Sequence, residues 1–201
     1  MSENEIREPI QKRSIEKKEK IIQAGFELIC DKGYYNTNTA EIAKHAGVST
    51  GIVYQYFKDK HDIFIEGLKK YANHIFYPMI NITTTTFEKE NLDKLFREMI
   101  DSFIKTHKLS EAAHEEIFAM VHSDEEVAYL FHESEMKTTL ALTNILIQNG
   151  LNKDNLKEKV HIAIGIIDNL CHEIVYHQHN DLNYDTMKEL VIKNIINLLE
   201  N

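Results

Sequence analysis

"TAEIAKHAGVSTGIVYQYFKDKHDIF", residues 39–64, contains two short helical patterns separated by Ala46, Gly47, Val48 and Ser49. Asn38 precedes the first pattern and Glu41 follows at the spacing of a capping box, in which each side chain satisfies the other residue's backbone N–H. Ile42, Ala43 and Ala46 give that helix an apolar face, and Gly47 supplies the left-handed residue on which helices commonly end. Ser49 is expected to cap the next helix, with Val48 stapled against Val53. Two short helices joined by so tight a turn form a helix-turn-helix, the unit whose second helix enters a DNA major groove. On this second helix Val53 and Phe57 face a core, while Thr50, Gly51, Tyr54 and Gln55 share the opposite face. A polar, aromatic face of that kind suits base edges, thymine methyls and phosphates. Gly51, a poor helix former, fits close approach of the backbone to DNA, and Tyr56 and Lys60 flank the face within reach of phosphates.

Upstream, Ile22, Phe26 and Ile29 recur at helical spacing, so a first helix is expected from near Ser14 to just before Gly33. "QKRSIEKKEK", residues 11–20, gives its start a basic cluster of five Lys and Arg against two Glu. The formal charge of −9 is unevenly spread: residues 1–60 hold ten basic against nine acidic side chains, residues 61–201 thirteen against twenty-three. A near-neutral first segment with a basic cluster, ahead of a strongly acidic remainder, suits contact with a polyanion at the N-terminal end only. With 43% hydrophobic residues, only two prolines and seven glycines, the 201-residue chain is expected to be all-α with a real core.

Residues 14–64 resemble the DNA-binding domain of the tetracycline-repressor (TetR) family of bacterial transcriptional regulators. The resemblance is carried by "GYYNTNTAEIAKHAGVS" (33–49) and "YQYFKDK" (54–60). It implies that Thr39 touches phosphate at the start of the second helix, that Ser49, Thr50, Gly51, Tyr54 and Gln55 lie in or beside the groove, and that Tyr56 and Lys60 clamp the backbone. Gln55 departs from the aromatic that relatives often carry there. The expected division is a helix-turn-helix domain over 1–60 and a helical ligand-binding and dimerisation domain over 61–201, about nine helices in all.

In the second segment a connecting helix is expected from about Asp59 through Tyr77, broken by Pro78 and the threonine-rich loop "NITTTTFEKEN" (81–91). Further helices are expected over 92–107, 111–121, 124–148, 156–179 and 184–199. The last two are apolar over a wide surface, which a monomer does not leave in water. Ile164, Ile167, Cys171, Ile174, Val191, Ile195 and Leu198 are therefore expected at a homodimer interface, which the resemblance places in a four-helix arrangement. A two-fold pair reads a palindrome. Polar residues within apolar helices suggest a small-molecule pocket, with Asn169 and Glu173 beside Phe103, Phe118, His122 and Met136.

Cys30 and Cys171 match no CxxC pattern and read as core thiols of a reducing compartment, and no apolar run is long enough for a membrane span, so a cytoplasmic location is expected. "DNLCHEIVYHQH" (168–179) sets Asp168 and His172, and Glu173 and His177, one helical turn apart, but completes no recognised metal motif; neither do "HEEIF" (114–118) and "HESEM" (132–136). No metal or other cofactor is expected, and the absence of a nucleophile motif or phosphate loop argues against an enzyme. The reading is a DNA-binding regulator, expected to be a repressor of a palindromic operator released by an unknown small-molecule effector. Its alternatives are a metal-responsive regulator and a helical protein-interaction module without DNA binding.

Overall fold

A computed structural model of the chain describes residues 11–83, 91–108 and 111–200. Among them are nine helices: α1 (Lys12–Lys32), α2 (Thr39–His45), α3 (Thr50–Val53), α4 (Lys60–Thr83), α5 (Leu92–Lys108), α6 (Glu111–Val121), α7 (Glu125–Gln148), α8 (Leu156–Tyr176) and α9 (Tyr184–Glu200). The chain forms two compact units, one from Met1–Tyr71 with Ala112–Leu130, the other from Ala72–Glu111 with Phe131–Asn201.

The first unit is built on the apolar stripe of α1. Ile21, Ile22 and Leu28 pack with Ile42 and Ala43 of α2, Val53 and Phe57 of the α3 region, and Ile63 of α4. Two glycines set how closely α1 and α4 approach: a Cβ on Gly25 would overlap the Ile63 side chain, and one on Gly67 would overlap Phe26. Thr37, buried at the α1–α2 connection, donates its hydroxyl to the Gly33 carbonyl at 3.0 Å, which ties the loop back to the end of α1.

In the second unit α5, α8 and α9 pack on one another. Leu95, Phe96, Met99, Ile100 and Phe103 form a continuous buried stripe on α5, facing the buried residues of α8 and α9. That packing takes in several of the residues expected at a homodimer interface. Ile164, Ile167, Cys171 and Ile195 are core residues of the protomer itself, each no more than 3% exposed, and Ile174, Val191 and Leu198 are half-buried. An apolar stripe demands a cover, and for these residues α5 and the α8–α9 contact supply it. The large side chains left in solvent on the pair are Ile162 and Leu190, 52% and 55% exposed.

The helix boundaries differ from expectation at two places. Helix α4 continues through Pro78 to Thr83, because proline costs a helix one hydrogen bond and a local clash, which need not end it; residues 84–90 of the expected loop lie outside the described residues. Helix α8 stops at Tyr176, earlier than expected, and the His179 amide instead donates to the Tyr184 hydroxyl oxygen at 2.6 Å. Among the described residues no helix is long and apolar enough to cross a membrane.

Candidate nucleic-acid interface

Helix α2 is fixed at both ends by its own sequence. At its start the Glu41 amide donates to Asn38 Oδ1 at 3.0 Å and the Asn38 amide to Glu41 Oε2 at 3.3 Å, closing the capping box. At its end Gly47 adopts φ 68°, the Val48 amide donates to the Ala43 carbonyl at 3.0 Å and the Gly47 amide to that of Lys44 at 3.2 Å. These two bonds are a Schellman motif, and they set the direction in which the chain leaves for α3.

Helix α3 is one turn long. The Ser49 carbonyl accepts from the amides of Ile52 and Val53 at 2.9 and 3.3 Å, but its hydroxyl makes no cap bond, contrary to the sequence expectation. The Ser49 side chain is exposed. Beyond Val53 the chain continues in tight turns, with the Tyr56 and Phe57 amides both bonded to the Val53 carbonyl at 3.0 Å. Glycine and three β-branched residues make a weak helix, so burial of Val53 and Phe57, at 0% and 2% exposed, holds this segment in place.

The opposite face is open. Gly51, Tyr54 and Gln55 are exposed and Thr50 is half-buried. A Cβ added to Gly51 would meet nothing nearer than Ser49 Oγ at 3.9 Å, so the fold itself does not require glycine there. Thr39 lies half-buried at the first position of α2, and Tyr56 packs its ring partly against the core of this unit. On α1, Lys12, Arg13, Lys17 and Lys20 are exposed, while Lys18 lies over the Phe57 ring at 5.7 Å.

Lys60, expected to clamp the DNA backbone, is directed at the protein. Its ammonium donates to the carbonyls of Tyr34 and Thr37 at 2.6 and 2.9 Å and sits 4.3 Å from the centre of the Tyr34 ring. A cation held by two carbonyls and an aromatic face braces the α1–α2 connection from the start of α4. The Tyr34 amide in turn donates to Glu116 of α6 at 2.5 Å, and His61 Nε2 lies 3.0 Å from Asp124, which follows α6. Sequence reading missed this bracket, since its acceptors are backbone carbonyls that converge only on folding. Burial, with Asp59 and Asp124 nearby, pushes the Tyr34 phenol up to about 12. Burial, helped by Glu116 and Glu27, pushes the Cys30 thiol up to about 12 as well.

The residues expected to line a ligand pocket are drawn from both units. Phe118 and His122 fall in the first unit and the other four in the second. Within the second, Phe103 is buried against the His107 ring at 4.5 Å, whereas Met136 and Asn169 are exposed. Glu173 is half-buried, with the Tyr184 hydroxyl 3.5 Å away.

Residues 21–66 match the sequence model of bacterial regulatory proteins, tetR family. The chain is 48% identical over 54 residues to the HTH-type transcriptional regulator HbdR of Aromatoleum sp. (strain CIB), a match covering 27% of this chain and 24% of that one. It is 26% identical over 187 residues to the fatty acid metabolism regulator protein of Bacillus subtilis, covering 88% of this chain and 94% of the relative. Among solved structures, a TetR-family regulator from Mesorhizobium loti superposes with a TM-score of 0.75 at 21% identity, over 94% of this chain and 98% of that one. FadR from Bacillus subtilis, crystallised with stearoyl-CoA, superposes with a TM-score of 0.63 at 23% identity, over 89% and 97%.

Proposed function

We propose, from the premise that this chain belongs to the TetR family of DNA-binding transcriptional regulators, that it is a cytoplasmic repressor that binds a palindromic operator as a homodimer and is released by a small molecule. The observation that carries this reading is the solvent face of α3. Thr50, Gly51, Tyr54 and Gln55 are displayed on a turn whose direction is fixed by a Schellman motif and whose reverse side is anchored in the core. Tyr54 and Gln55 read base edges, Gly51 lets the backbone close on the duplex, and Thr39, Ser49 and Tyr56 meet phosphates on either side. Lys60 acts indirectly, by holding the α1–α2 connection in place.

DNA binding is assigned to residues 1–60, and effector binding and dimerisation to 61–201. Ile162 and Leu190, the large apolar side chains that α8 and α9 leave in solvent, are the centre of the proposed dimer contact. The effector belongs to the C-terminal helices. Acyl-CoA is the class to try first, since the structurally similar Bacillus subtilis FadR holds stearoyl-CoA. Release requires the effector to favour one of two states of the protein, and a coupling of about 1 to 3 kcal/mol changes operator affinity roughly 5- to 150-fold.

The test is operator binding in the presence and absence of stearoyl-CoA, with a sequence recovered by selection from random duplexes. Specific binding weakened by acyl-CoA supports the whole reading. Specific binding indifferent to acyl-CoA removes the effector class and leaves the operator reading intact.

A further inference from the structure

We propose that His107, Asp168 and His172 form a binding site for a divalent first-row transition metal, with zinc the best fit. Asp168 and His172 lie one turn apart on α8, and α5 brings His107 against them. His107 Nε2 is 3.7 Å from Asp168 Oδ1, and His172 Nε2 is 3.8 Å from Asp168 Oδ2. The two imidazole rings meet edge to face with centres 5.5 Å apart.

The protonation of His107 follows from its second nitrogen. Nδ1 lies 2.9 Å from the Phe103 carbonyl, and a carbonyl only accepts, so Nδ1 carries the hydrogen. In the neutral ring Nε2 is then a lone pair on the side of a carboxylate oxygen. A carbonyl that fixes the tautomer of a buried imidazole and leaves its other nitrogen as a ligand is the usual outer support of a histidine at a metal.

Two acceptors facing each other repel unless something positive lies between them. The separations are longer than hydrogen bonds, yet close to the span of two ligands on one ion. Zinc bonds of about 2.0 to 2.2 Å in tetrahedral geometry set neighbouring donors roughly 3.4 Å apart, against 3.7 and 3.8 Å from the two imidazole nitrogens to the two Asp168 oxygens. Two imidazoles and one carboxylate form a nitrogen-rich set that favours zinc and its transition-metal neighbours over magnesium or calcium. The His107 side chain is fully buried, but 35% of the Asp168 side chain remains exposed, which gives an ion a way in.

This inference stands apart from the DNA-binding reading, and its test contains no DNA. The full chain is stripped with a chelator and titrated with zinc(II), and with cobalt(II), whose visible absorption reports low-coordinate geometry. The expected result is saturable binding of a single ion per chain, weakened about 10-fold or more by Asp168→Asn and by His172→Ala but unchanged by His45→Ala, an exposed histidine on α2. The two test variants change half-buried positions, and circular dichroism of each verifies that it is folded. Absence of saturable binding, or binding that folded Asp168→Asn and His172→Ala retain at parental strength, overturns the proposal.

Discussion

Tyr54 and Lys60 are close in sequence and are expected to fail in different ways. Tyr54→Ala removes an exposed ring and should leave thermal stability nearly unchanged, while weakening the specific operator by about 1 to 3 kcal/mol more than random DNA. Equal loss on both duplexes would remove its base-reading role. Lys60→Ala abandons two carbonyls and an aromatic face, so it should cost about 1 to 3 kcal/mol of folding stability in urea melts. Because its ammonium is directed at the protein, the salt dependence of DNA binding should stay the same; a slope lower by about one unit would restore Lys60 to direct phosphate contact. Gly51→Ala separates folding from function most cleanly. A methyl group fits and improves helix propensity, so stability should hold or rise by up to about 1 kcal/mol while operator affinity falls. The outward direction of Tyr54 was legible from helical spacing alone. The inward direction of Lys60 was not, because its acceptors, the carbonyls of Tyr34 and Thr37, come within reach only in the fold.

At the scale of elements, the ends of α2 and α7 were legible because caps are local chemistry. Asn38 and Glu41 close one end of α2, Gly47 takes positive φ where a stop was expected, and Gly150 takes positive φ just past Gln148, the expected and observed end of α7. The apolar patterns of α8 and α9 show that something covers them but not what; within the protomer, α5 and the α8–α9 contact bury Ile164, Ile167, Cys171 and Ile195, which spacing alone does not distinguish from an interface. Pro78 misled for a related reason: its penalty is fixed, while the length of the surrounding helix decides whether it ends there. The packing of α1 on α4 makes its own prediction. Gly67→Ala drives a rigid methyl into Phe26 and should lower stability by about 1 to 3 kcal/mol in denaturant unfolding. An unchanged midpoint would mean that the two helices are not so close. Glu116→Ala removes the acceptor of the Tyr34 amide within the first unit and should lower its stability by about 1 to 3 kcal/mol in denaturant unfolding.

For the whole molecule the claim is that two copies act together. One α3 face reaches few base pairs, whereas a two-fold pair reads half-sites about 34 to 36 Å apart, or a multiple of that, on one side of the duplex. Leu190→Glu places a charge at the proposed contact without touching the protomer core, so the variant should stay helical yet sediment as a monomer and lose operator affinity. A dimer that survives Leu190→Glu and Ile162→Glu together would move the interface elsewhere. The measurement that tests the central claim most directly is selection of bound sequences from random duplex DNA by the purified chain, with the winning duplex then bound by the parent and by Gly51→Ala. The account predicts a palindrome that the parent binds far more tightly than random DNA and that Gly51→Ala, though folded, binds weakly. Sequence-indifferent, salt-sensitive binding, or a palindrome that Gly51→Ala binds as well as the parent, would contradict it.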